Sequence, residues 1–213
     1  MTEKTRPIPA DFFSDWKERE ALSEAMIPLI GSLYREKNIS LYMYGKSMVN
    51  RSVIELMKAH RFVRQIEQNE LSEYETYPLI KALSDINLGP AHIDVGKLAV
   101  KYQESKSTQS LTDFLNEEIG DKLDDMKKPI PDPQDVILYG FGRIGRLLAR
   151  LLLEKTGSGD MLRLRAIVVR GGSTESDLSK RASLLRRDSV HGAFEGTIRI
   201  LKDKNILVCN GNP

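Results

Sequence analysis

The chain has 213 residues, of which 40% are hydrophobic and 29% charged, with a formal net charge of +2. That is the balance of a globular chain with enough apolar side chains for one large or two small cores, and it excludes a low-complexity or collagen-like polymer. No run of eighteen apolar residues offers a membrane span, the polar start Met1 to Phe13 is unlike a secretory leader, and no dense basic tract suggests nucleic acid.

Charge is uneven along the chain. Residues 1–130 hold 18 Lys and Arg against 21 Asp and Glu, whereas residues 131–213 hold the remaining 14 against 9. The basic second part suits a phosphate-bearing ligand or a solvated surface. A single cysteine, Cys209, excludes an internal disulfide and fits a reducing cytoplasm.

In chain order, the first expected element is an amphipathic helix over Asp15 to Glu36, carrying Trp16, Ala21, Leu22, Met26, Leu29, Ile30 and Leu33 at mixed three- and four-residue spacings. Pro28 is expected to kink or break it, because proline has no N–H to donate, and Gly31 to weaken it. The phrase Tyr44-Gly-Lys-Ser47 superficially suggests a phosphate loop. That loop needs a glycine five residues before Gly45, where Ser40 stands, so it reads as a glycine turn before a helix. A second helix is expected from Ser47 to Gln68, with Val53, Leu56, Met57, Val63 and Ile66 for a core. Its bases Arg51, Lys58, Arg61 and Arg64 form a solvated or salt-bridged face, the alternative being a regulatory anion site.

Ser72 followed by Glu75 predicts a capped helix start ahead of Leu79, Ile80 and Leu83. Gly89-Pro90 ends it, and shorter helices are expected over Ile93 to Tyr102 and Leu111 to Ile119. Residues 1–128 thus read as a small all-α domain. Residues 129–134, Pro-Ile-Pro-Asp-Pro-Gln, read as an extended linker because closely spaced prolines forbid a continuing helix.

Residues 135–213 change character. Val136-Ile-Leu-Tyr139 is a short apolar run, expected to be a strand buried on both faces. Gly140-Phe-Gly-Arg-Ile-Gly145 follows at once, then a helix from Arg143 to Lys155 ended by Gly157-Ser-Gly159, then an apolar strand from Leu162 to Val169. Strand, glycine turn, helix, strand is the context a dinucleotide fingerprint requires. Gly140 permits the tight turn, Gly142 removes a side chain where a pyrophosphate approaches, and Gly145 lets helix and strand pack closely. Unpaired N–H groups and the positive end of the helix dipole then receive the diphosphate. The fold class is therefore α/β, a Rossmann-type dinucleotide-binding domain, partial, preceded by the small all-α domain. The second strand ends in Arg170 where an NAD site usually carries an acid. Arg170 either receives a 2′-phosphate, aided by Ser173 or Thr174, or points to solvent, which leaves NAD or NADP open.

Tyr139-Gly-Phe-Gly-Arg-Ile-Gly-Arg146 resembles the Asn-Gly-Phe-Gly-Arg-Ile-Gly-Arg opening of phosphorylating glyceraldehyde-3-phosphate dehydrogenases. Arg187-Asp-Ser-Val-His-Gly-Ala-Phe-Glu-Gly-Thr197 is similar to that family's Tyr-Asp-Ser-Thr-His-Gly-x-Phe-x-Gly, and Asn210-Gly-Asn-Pro213 to its hairpin turn. The resemblance is to the long bacterial members with a helical N-terminal extension. It implies a cytoplasmic homo-tetramer that oxidises a small phosphorylated aldehyde with inorganic phosphate and NAD or NADP. It also implies that Phe141, Gly142, Arg143 and Ile144 line the cofactor. The family's Ser-Cys-Thr-Thr-Asn nucleophile and its partner histidine have no match in this chain. Cys209 reads as a packing cysteine, His191 as a turn or subunit-contact residue, and His60 and His92 have no paired metal ligands. The expectation is an N-terminal fragment, inactive alone; the alternative is a non-catalytic dinucleotide-sensing regulatory module.

Overall fold

A computed structural model describes residues 9–67, 71–86, 88–105, 110–124, 133–155, 162–171 and 174–213. The chain divides into two compact units, Met1–Ile130 and Pro131–Pro213. Residues 129–132 of the expected linker, the Gly157-Ser-Gly159 helix stop and Ser173 lie outside the described residues.

The first unit opens with α1, Phe12–Lys37. Asp11 caps it, its carboxylate accepting from the Phe13 N–H at 3.0 Å, and Asn38 ends it in the left-handed region at φ 53°. Pro28 neither breaks nor ends the helix, contrary to the sequence expectation. Ser23, Met26, Ile30 and Leu33 form one buried stripe that runs past the proline, so packing on both sides holds the helix together across it. Trp16, expected in the core, is 45% exposed, and Phe12 and Phe13 beside it are more so.

The first unit is not all-α. Strand β1, Ile39–Met43, pairs antiparallel with β2, Lys46–Ser47, and parallel with β3, Ala91–Asp94, giving the order β2-β1-β3. The parallel pairing places Ile39 opposite Ala91 and Leu41 opposite Ile93. Helices α2, Val53–Glu67, and α3, Glu73–Asp85, make the crossover between the paired strands. The expected helix start at Ile93 is thus a strand end. Asp94 terminates β3 and caps α4, Val95–Ser105, by accepting from the Lys97 N–H at 3.1 Å. Helix α5, Leu111–Asp124, completes the unit.

Gly45 sits in the β1–β2 hairpin turn rather than before a helix. Tyr44 and Gly45 have φ 47° and 78°, the paired positive values of a tight hairpin turn. Their N–H groups donate to the two Asp94 carboxylate oxygens at 3.1 and 3.0 Å, so the turn's donors hold an internal anion instead of a phosphate. Helix α2 starts later than expected, at Val53, where Ser52 and Glu55 exchange capping hydrogen bonds. Arg51 donates to the Ser47 carbonyl at 3.2 Å and pairs with Glu55, as a structural face would; Ile66, expected in the core, is 49% exposed. The Ser72–Glu75 capping box forms as predicted, with Leu79, Ile80 and Leu83 fully buried.

One charged cluster is buried in this core. The Arg19 guanidinium reaches Glu73 at 2.7 Å, and the Glu73 side chain is fully buried. Its other oxygen has no hydrogen-bond partner and lies 3.6 Å from His60 Nδ1. That nitrogen is the donor to the Leu56 carbonyl at 2.8 Å, which leaves Nε2 to accept from the Thr76 hydroxyl at 2.7 Å. Burial lowers the His60 pKa against the pull of Glu73, so the ring stays neutral and serves the core.

The second unit is built on β4, Gln134–Tyr139, α6, Arg143–Lys155, and β5, Leu162–Val168. Strands β4 and β5 are parallel, with Val136 opposite Leu164 and Ile137 opposite Ala166, so Arg165 is the extra residue of a bulge. Val136 and Leu138 are half-buried, whereas Ile137 and Tyr139 are 65% and 81% exposed. The expectation of a strand buried on both faces is therefore corrected to one covered face: α6 turns Ala149, Leu152 and Leu153 toward the small core around Leu164, Leu185 and Phe194. Helix α7, Glu175–Arg186, follows, capped by a Thr174–Asp177 box. Short hairpins β6, Arg187–Asp188, with β7, Gly192–Ala193, and β8, Ile198–Leu201, with β9, Ile206–Cys209, complete the unit.

Candidate dinucleotide site

The glycine turn grows out of the end of β4. Gly140 has φ +102°, a region that excludes most side chains, and its N–H donates to the Val168 carbonyl at 2.7 Å, carrying the β4–β5 ladder into the turn. Helix α6 starts three residues later, its first turn closed by the Arg146 N–H to the Gly142 carbonyl at 3.0 Å. A Cβ on Gly145 would stand 2.3 Å from the Gly140 carbonyl oxygen, so no side chain fits there. A Cβ on Gly142 would meet nothing within 4 Å. The fold therefore requires glycine at 140 and 145. At 142 it leaves open space above a helix N-terminus, which is where an approaching diphosphate needs it.

The other expected site residues are disposed as follows. Phe141 is half-buried and packs against the second core, so it anchors the turn from below. Ile144 is 75% exposed at the start of α6. Arg143 is exposed, its Nε 4.0 Å from the Asp188 carboxylate. Arg170 is exposed just past β5 and lines a recess of about 510 Å³ at the strand ends together with Tyr139, Gly140 and Asp177. Thr174, expected as a ligand donor, is instead committed to α7: its hydroxyl donates to Asp177 at 2.6 Å and accepts from the Asp177 N–H.

Sequence reasoning missed Lys180 and Arg181, which α7 presents to the same recess. The signal was present: Thr174-Glu-Ser-Asp177 has capping-box spacing, and a helix starting there carries Lys180 and Arg181 in its second turn.

The Asp188–His191 turn is an internal brace. The Asp188 carboxylate accepts from the Val190 and His191 N–H groups, each at 3.0 Å, and from His191 Nδ1 at 3.1 Å. Those bonds hold its pKa well below the usual carboxylate range, with Arg143 adding to the effect. Nearby, Arg150 is buried in α6 and donates to the Leu185 and Gly192 carbonyls at 2.8 and 3.0 Å, clipping this hairpin to the helix behind the turn. Cys209 is buried in β9, and desolvation pushes its thiol up to about 11. A nucleophilic cysteine needs the opposite setting, positive and accessible.

Residues 134–213 match the family of the glyceraldehyde 3-phosphate dehydrogenase NAD binding domain. A glyceraldehyde-3-phosphate dehydrogenase-like protein of Pseudomonas aeruginosa (strain UCBPP-PA14) is 53% identical over 189 residues, covering 88% of this chain and 41% of that protein. Residues 134–213 therefore carry the NAD binding domain of the glyceraldehyde 3-phosphate dehydrogenase family. Glyceraldehyde-3-phosphate dehydrogenases of Zymomonas mobilis and Bacteroides fragilis are 42% and 35% identical over 77 and 75 residues, each match covering 20% of the relative. Those cover 36% and 35% of this chain, stretches about as long as the NAD-binding segment itself. The Pseudomonas alignment is more than twice that length, so its likeness extends into the first unit. The chain spans about two-fifths of the length of that relative and one-fifth of the other two. The family match over residues 134–213 makes the second unit a Rossmann-type NAD-binding domain, and the glycine turn fits that cofactor on its own geometry. No helix among the described residues is long and apolar enough to cross a membrane.

Proposed function

We propose that Gly140, Phe141, Gly142, Arg143, Ile144 and Gly145 form the dinucleotide cradle of a glyceraldehyde-3-phosphate dehydrogenase, with Arg170 at its adenosine end. The observation that carries this reading is the open space at Gly142 above the start of α6, which nothing in the fold's own packing calls for. Within the cradle the chain's task is to bind and orient: the first-turn N–H groups hold the diphosphate, and the exposed Arg143 adds positive charge beside it. The cofactor, when bound, accepts hydride as the phosphorylated aldehyde is oxidised in the presence of inorganic phosphate. The reaction's nucleophile belongs to the further length of the family's longer proteins, since Cys209 is the chain's one thiol and is buried and held protonated. Exposed apolar side chains at Ile137, Tyr139, Leu148 and Leu151 suit contact with such additional chain. On this reading residues 1–128 are an N-terminal extension of mixed helices and strands, and the enzyme is a cytoplasmic tetramer.

The buried thiol also favours a second reading, a dinucleotide-sensing module without chemistry of its own. One assay separates the two. The complete gene product should reduce the dinucleotide only when both glyceraldehyde 3-phosphate and inorganic phosphate are present. Saturable dinucleotide binding with no such turnover would replace the enzyme reading with the module.

A further inference from the structure

We propose that the recess at the ends of β4 and β5 selects the dinucleotide that carries a 2′-phosphate, with Arg170, Lys180 and Arg181 receiving that group. The inference rests on the glycine turn binding a dinucleotide and adds which one. A site for the unphosphorylated cofactor places a carboxylate at the end of its second strand, where it accepts hydrogen bonds from the ribose hydroxyls and repels a phosphate. Here β5 ends at Val168 and is followed by Val169 and Arg170, so the acid's place is held by a cation.

The surroundings deepen the change of sign. The 510 Å³ recess is lined by three cations, Arg170, Lys180 and Arg181, against one carboxylate, Asp177. That carboxylate is already engaged, accepting from the Thr174 hydroxyl at 2.6 Å and the Thr174 N–H at 3.3 Å. Its Oδ2 is thereby committed to the cap of α7. Arg181 donates to the Gly171 carbonyl at 3.1 Å, which seats its guanidinium beside the 170–171 turn in advance of any ligand. Arg170 is exposed and, among the described residues, makes no hydrogen bond or ion pair, so its planar fork is available to a phosphate. Lys180 supplies a third, flexible charge from one helix position away. Two elements, the strand end and α7, thus converge on one spot with donors suited to a dianion.

Calorimetric titration of the purified complete gene product with ADP-ribose and with 2′-phospho-ADP-ribose tests this without reliance on turnover. The 2′-phosphorylated ligand should bind at least tenfold tighter at low salt, and the preference should shrink as salt rises. In the double variant Arg170→Ala/Lys180→Ala the ratio should fall below threefold. Equal binding of the two ligands, tighter binding of ADP-ribose, or a preference that survives the double substitution would overturn the selection while leaving the cradle in place. Binding of neither ligand by folded protein would overturn the cradle and the selection together.

Discussion

Alanine at Gly145 should destabilise the second unit, whereas alanine at Gly142 should leave it folded and remove dinucleotide binding. The two glycines sit three residues apart in one turn, yet the structure gives them opposite surroundings. A methyl group at 145 would be driven to 2.3 Å from the Gly140 carbonyl oxygen, a backbone atom that cannot swing aside. Relief requires α6 to move off the β4–β5 pair, and overpacking of that kind costs about 1–3 kcal/mol. The core it disturbs is small, centred on Ala149, Leu164, Leu185 and Phe194. At 142 the added methyl meets nothing within 4 Å, and the residue is not among those with positive φ, so alanine should change stability by no more than about 0.5 kcal/mol. It would, however, stand where the diphosphate must reach the helix N-terminus. Affinity for NAD or NADP should fall at least tenfold, about 1.4 kcal/mol. Hydrogen exchange of the second unit measures the first effect and calorimetry the second. If both variants fold equally well and bind equally well, the assignment of roles to the two glycines is wrong.

The second large effect is expected in the first unit. Arg19→Met should cost about 3 kcal/mol, the lower end of the range for stripping a buried charge of its partner, because Arg19 itself keeps 26% of its side chain exposed. The cost arises from what remains: Glu73 is fully buried, one oxygen already lacks a hydrogen bond, and the neutral His60 ring offers that oxygen no proton. Adding Glu73→Leu should then restore at least half of the loss, since two apolar side chains leave no charge in the core. Trp16 is the chain's single tryptophan and lies on α1, one turn before Arg19. Its fluorescence in urea therefore follows this unit alone. A single variant within about 0.5 kcal/mol of the parent would contradict the argument.

These two cases also mark how far the sequence could be read. The glycine turn was legible because its information is local: a strand, three glycines and a helix stand next to one another, and each glycine has a distinct job in the turn. The Ser72–Glu75 cap was legible for the same reason. The β2-β1-β3 sheet was not. Ile39–Met43 is buried along almost its whole length, so it shows no alternation, and its parallel partner begins at Ala91, about fifty residues away. The exposure of Trp16 and the continuity of α1 through Pro28 are likewise decided by what packs against the helix, a matter its own spacing does not encode. Ile137 and Tyr139 read as core because they are apolar, and the second unit covers only one face of their strand. At the site, Arg170 was legible as a strand-end residue. The Thr174–Asp177 spacing puts Lys180 and Arg181 on a helix, but only the fold brings that helix to the same recess.

The central claim is that residues 140–145 hold a dinucleotide by its diphosphate, and hydrogen exchange with and without saturating NAD or NADP tests it most directly. Protection is expected to rise at the amides from Gly140 to Arg146, with a second rise near Arg170, while exchange in the first unit's β1–β3 pair stays unchanged. Exchange at the glycine turn that is identical with and without either dinucleotide, in a protein whose β4–β5 ladder is protected, would contradict the account.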